Sequence, residues 1–116
     1  MMDSKKFNEL LLQRFPEIRE DFEKYVSSQD GIETGSFLIM EDIFVGFLAK
    51  AISEKKEDTI LRVFSFAEAM LNQGDEYACN LIVVGLLESI KTSDWAKGAE
   101  PYMLSNTRKE YESLTL

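Results

Sequence analysis

Four residues near the middle of the chain, Asn72-Gln73-Gly74-Asp75, separate two runs whose apolar residues recur at helical spacing. In the first run Ile60, Leu61, Phe64, Ala67, Met70 and Leu71 make one continuous stripe. Glycine enters the left-handed conformation cheaply and so ends a helix. An aspartate just behind it can accept the amide hydrogens left unpaired at the next helix start. The segment therefore predicts a tight hinge in an antiparallel helical hairpin, with its second arm running to about Lys91. The β-branched run Ile82-Val83-Val84 falls inside that helical period, and strand patterning is poor throughout.

Helical periodicity continues on both sides. A first helix is expected over about Asp3 to Phe15, with Phe7, Leu10, Leu11 and Phe15 on one face. Pro16 stops it and opens the next, since proline fits a first helical turn but not an interior one. The second, to about Ser28, sets Ile18, Phe22, Tyr25 and Val26 on one side. After a loop over Gln29 to Gly35, a third runs from about Ser36 to Glu54. It is apolar on much of its circumference, as a central helix would be. Asp58 is a plausible N-cap for the fourth. Beyond the hairpin, Ser93 could cap a short turn containing Trp95, Gly98 and Pro101 interrupt the pattern, and a last helix is expected over about Ser105 to Leu114. The prediction is one all-α domain over residues 1–116, an irregular bundle or short stack of antiparallel helical hairpins with about six helices.

Charge and chemistry narrow the function classes. The 116 residues carry a net charge of −8, with no histidine and one cysteine. Phosphate backbones and anionic lipid repel such a chain, so neither nucleic acid nor membrane is expected as a partner. The longest apolar stretch, Leu81 to Leu87, is too short to span a bilayer, and the N-terminus lacks a signal pattern. Cys79 cannot form an internal disulfide and reads as a small apolar side chain, which suits a reducing, cytoplasmic location.

Without histidine the usual general base and the commonest metal ligand are missing. Ser53 and Lys56 have helical spacing for a nucleophile pair but lie in a charged helix end. The carboxylate pairs Glu20-Asp21, Glu41-Asp42, Glu57-Asp58 and Asp75-Glu76 are adjacent in sequence, and adjacent residues on a helix point to different faces. Asp30 to Glu41 matches a calcium-binding loop at its first, sixth and twelfth positions. It fails at the third and ninth, where Ile32 and Leu38 offer no ligand. No catalytic residue, cofactor or metal is expected.

The segment from Phe64 to Glu88 resembles a group of small, acidic, helical bacterial proteins of HEAT-like hairpin type, which includes immunity proteins of contact-dependent growth inhibition. The Gly74-Asp75 hinge, Asn80-Leu81 and the ending Gly85 to Glu88 carry the likeness. The resemblance implies a non-enzymatic, cytoplasmic protein that binds a basic toxin domain one-to-one, such as a nuclease of the RNase kind, and neutralises it. An acidic inhibitor would imitate the charge of that toxin's substrate. The alternatives are a general helical adaptor or regulatory subunit, and a small enzyme using carboxylates.

From Asp30 to Asp58 the chain holds seven acids against three lysines. Asp30, Glu33, Asp42, Glu54 and Glu57 are the expected partner-binding residues. Asp94, Trp95 and Tyr102 in the tail are further candidates, because aromatic side chains dominate interface energetics.

Overall fold

A computed structural model describes residues 1–115. Every regular element among them is helical, as the periodicity predicts. Helix α1 (Ser4–Arg14) starts behind Asp3, whose carboxylate accepts the Lys6 amide hydrogen at 2.9 Å. Pro16 opens α2, a tight turn over Pro16–Ile18 that continues as Arg19–Val26. Helix α3 covers residues 36–53, α4 is Glu57–Gln73, and α5 covers residues 76–91. A short α6 (Ala96–Ala99) leads through a tight turn, Glu100–Tyr102, to α7 (Ser105–Glu112). Among the described residues the count is seven instead of about six. The addition is α6, too short to show a period in sequence.

The helices close on one core in which aromatic edges meet aromatic faces. The ring of Phe15 lies 4.9 Å from that of Phe44 and 5.6 Å from that of Phe66, and Phe7 lies 5.9 Å from Phe66. Such pairs add to the area they bury. Phe66 is not on the expected stripe of α4, yet it joins the aromatic residues of α1 and α3. Middle segments of α3 (Met40–Phe44) and α5 (Leu81–Leu87) widen to the π-helical spacing and pack on each other. Gly85 permits this: a Cβ there would stand 3.0 Å from that of Met40.

Several local expectations change. Asp75 caps α5 through the Ala78 amide, 3.0 Å away. Gly74, however, is extended (φ −76°, ψ 161°), not left-handed. Glycine is needed there for space, since a Cβ would collide with the Met70 carbonyl oxygen and stand 2.8 Å from that of Ala78. Asp58 is not the cap of α4. That helix begins at Glu57, behind Lys56, so Asp58 already lies in its first turn, and Lys55 takes the left-handed turn (φ 56°). Leu104 cannot cap α7; Glu68 of α4 does so from outside, accepting the Asn106 and Thr107 amides at 3.0 and 2.9 Å and the Thr107 hydroxyl at 2.8 Å. Helix α3 is less enclosed than its composition suggests. Leu38 is 44 % exposed, and Phe37, Ile43, Phe47 and Ile52 are only half-buried.

Candidate functional site

The spare apolar surface of α3 forms one wall of a groove. Helix α2 supplies the other wall, and the start of α4 closes one end. The opening measures about 670 Å³. Ile43 and Phe47 lie on the α3 side, Tyr25 on α2. Around them stand Glu17, Asp21, Asp42 and Glu54, with Lys24, Lys50 and Lys56. The Tyr25 hydroxyl donates to Asp42 at 2.5 Å and ties α2 to α3. That hydrogen bond, with some burial and the charges of Asp42 and Glu41, raises the tyrosine pKa above its ordinary value.

Much of the groove's charge is already paired. Arg62 holds Glu17 with both terminal guanidinium nitrogens, donates to the Arg14 carbonyl at 2.9 Å and lies over the Phe15 ring at 5.1 Å. That pairing lowers the Glu17 pKa. Lys56 pairs with Glu54 at 3.1 Å, and Lys24 with Glu20 at 3.2 Å. Among the described residues Asp21, Asp42 and Lys50 form no ion pair. Glu54 and Lys56 are both exposed, and Lys56 is directed to Glu54.

The structure brings the expected binding residues together only in part. Asp42 and Glu54 line the groove. Glu57, one residue beyond the lining Lys56, faces Tyr102; burial first, and then this carboxylate, push the Tyr102 hydroxyl pKa up. Trp95 is half-buried against the core, while Asp94 is exposed. Asp30 and Glu33 are exposed on the 27–35 connector, outside the groove. The acid-rich segment is therefore not one face. Tyr25, Asp21, Gly46 and Lys50 join the site without having been singled out for it. Tyr25 reads as core in sequence because it shares the apolar side of α2, and its half-exposure comes from the groove itself.

The calcium-like segment has another role. Its second half is helical, as the start of α3. Its first half is fastened to α1: the buried Asn8 amide donates to the Ile32 and Thr34 carbonyls at 2.9 and 2.8 Å, and the Ser36 hydroxyl donates to Asn8 at 2.9 Å. Among the described residues no three histidine, cysteine or acidic side chains are grouped to hold a metal ion. The Cys79 thiol is half-buried, not fully enclosed, and turned toward the Met70 carbonyl at 3.5 Å. Burial, and then Asp75 and Glu110, raise its pKa, which keeps it protonated and unreactive. No helix among the described residues is long and apolar enough to cross a membrane.

Residues 8–116 match the model of a family described as a domain of unknown function, DUF7674, and the chain belongs to that family. No curated protein and no solved structure matches it.

Proposed function

We propose that this DUF7674 protein works by binding another protein, and that the partner is a basic toxin domain which it neutralises in the manner of a contact-dependent-inhibition immunity protein. The observation that carries the reading is the groove between α2 and α3, where two carboxylates, Asp21 and Asp42, stand without a cationic partner among the described residues, beside half-buried Tyr25, Ile43 and Phe47. An apolar floor with a few oriented charges suits recognition of a protein surface. The net charge of −8 would steer a basic partner toward it, so association should slow as salt rises. The nuclease character of the toxin and the cytoplasmic setting follow from the resemblance of the Phe64 to Glu88 segment and belong to the same proposal. The test is co-expression: a toxin domain is expected in the reading frame beside this gene, and cells carrying it should survive only with this protein present. Death despite good expression would sink the reading.

One observation favours a second reading. Charge along the groove is mixed, since Lys50 faces it alongside the two free acids. That pattern also suits a helical adaptor or regulatory subunit with a mixed-charge partner. A pull-down that recovers a stable cellular complex, with no toxin gene adjacent, would select it.

A further inference from the structure

Of the six glycines in the chain, five have a reason within the fold. Gly31 sits at φ +63°, and a Cβ on Gly74, Gly85 or Gly98 would press on Ala78, Met40 or Ile52. Gly35 occupies the N-cap of α3, a position glycine suits. Gly46 is different. It lies inside α3, is exposed, and a Cβ added to it would meet no heavy atom of the described residues within 4 Å. Glycine within a helix destabilises it relative to alanine. Nothing in the packing of this chain asks for that loss. Gly46 does, however, line the groove, one turn from Asp42 on one side and one turn from Lys50 on the other.

We propose that the α2–α3 groove receives a single helix of the protein partner, which crosses α3 at Gly46. It sets a basic side chain toward Asp21 and Asp42 and an acidic one toward Lys50. The proposal rests on the protein-binding reading above and adds the shape and charge order of what is bound. The missing side chain lets a second backbone come close, which is the use that offsets a helix-interior glycine. Ile43, Phe47 and the Tyr25 ring then accept the apolar stripe of an amphipathic helix. Eight residues of helix put Asp42 and Lys50 about 12 Å apart along the axis, so the partner's basic and acidic residues should lie about two turns apart. The other charges of the groove are held by Arg62, Glu54 and Glu20, leaving the end-to-end polarity to Asp21, Asp42 and Lys50.

Calorimetric titration of a basic toxin domain, sought in the reading frame beside this gene, into wild type, Gly46→Ala, Gly46→Leu and Asp42→Asn tests this, with a thermal melt of each variant. Gly46→Ala should melt above wild type yet bind at least about tenfold more weakly, a combination that a glycine kept only for folding would not show. Gly46→Leu and Asp42→Asn should also bind more weakly. If Gly46→Leu does not fold, Gly46→Ala decides the matter. Equal binding by wild type and Gly46→Ala overturns the groove inference and leaves the toxin reading standing. If the toxin does not bind wild type, the toxin reading fails, and a displayed library of amphipathic helices selected on wild type judges the groove. Binders that pair a basic and an acidic residue two turns apart, and that weaken on Gly46→Ala, support the inference. Failure to recover binders, or recovery only of binders indifferent to that variant, overturns it.

Discussion

Replacing Glu68 by alanine asks whether the last helix begins by its own means or through its neighbour. Helix α7 follows Leu104, which has no side-chain oxygen to offer its first amides. Glu68 reaches across from α4 and accepts three hydrogen bonds from Asn106 and Thr107, at 2.8–3.0 Å. Losing a side-chain cap costs roughly 0.5–2 kcal/mol. The Thr107 hydroxyl is buried, and leaving such a donor unpaired costs roughly 1–3 kcal/mol more. Glu68 is half-exposed, so water takes up part of the loss, and about 2 kcal/mol is expected for Glu68→Ala. In a chain of this length that lowers the melting temperature by about 8 °C. Glu68→Gln keeps an acceptor but removes the negative charge at the helix N-terminus, so about half that drop is expected.

The acid dependence separates the two contributions. Desolvation raises the Glu68 pKa, but the hydrogen bonds from Thr107, Asn106 and Asn72 outweigh it, and the folded-state value lies below the ordinary one. A depressed carboxylate stabilises the fold fully above its unfolded pKa and loses that contribution as pH falls through the folded pKa. The gap between wild type and Glu68→Gln should therefore be full near neutrality and narrow below about pH 4.5. Circular dichroism melts across that range measure it. A Glu68→Ala melt within about 2 °C of wild type at neutral pH, or a Glu68→Gln gap unchanged on acidification, would refute the reasoning.

Two glycines should respond in opposite directions. Gly85→Ala puts a Cβ 3.0 Å from that of Met40 and should destabilise by about 1–3 kcal/mol, whereas Gly46→Ala should stabilise by about 0.5–1 kcal/mol; denaturant titration reads both, and like signs would refute the assignment. Phe66→Ala removes the ring shared by Phe7, Phe15 and Phe44 and should cost about 4 kcal/mol in the same assay. Arg62 and Glu17 are each nearly half exposed, so a double-mutant cycle of Arg62→Ala and Glu17→Gln should give a coupling of only about 0.5–1 kcal/mol. Coupling that survives high salt unchanged would contradict that exposure. Burial, and then Glu100 2.8 Å away, push the Tyr111 hydroxyl up to about 12; ultraviolet titration should show this tyrosine ionising late, and earlier in Glu100→Gln.

Helix positions were legible because each helix buries one stripe, and a stripe leaves its period in the sequence whatever it packs against. Pro16, Asp75 and the apolar run of α4 act locally, and each does in the structure what its residue type allows. Net charge and the absence of histidine are likewise properties of composition, independent of shape. The candidate site was legible only in pieces. Asp42 and Glu54 stood out as acids, but Asp30 and Glu33, close to them in sequence, point elsewhere. Charge density along a chain says nothing about which face of which helix carries it. Tyr25, Gly46 and Lys50 became site residues only once α2 and α3 lay side by side with a gap between them.

The hinge at Gly74 shows the same division at a single residue. Its place between two helices is a local matter of helix stop and helix start, readable from Gly74-Asp75 alone. Its reason is tertiary, because the glycine is extended and what forbids a side chain is the nearness of Met70 and Ala78. Glu68 capping a helix 37 residues downstream belongs to the same class. By itself the sequence determined that this chain is a set of helices, acidic overall, with no histidine and a single cysteine. Which helix starts another, and where a groove is left open, depended on distances between residues far apart in the chain, and no local pattern encodes those.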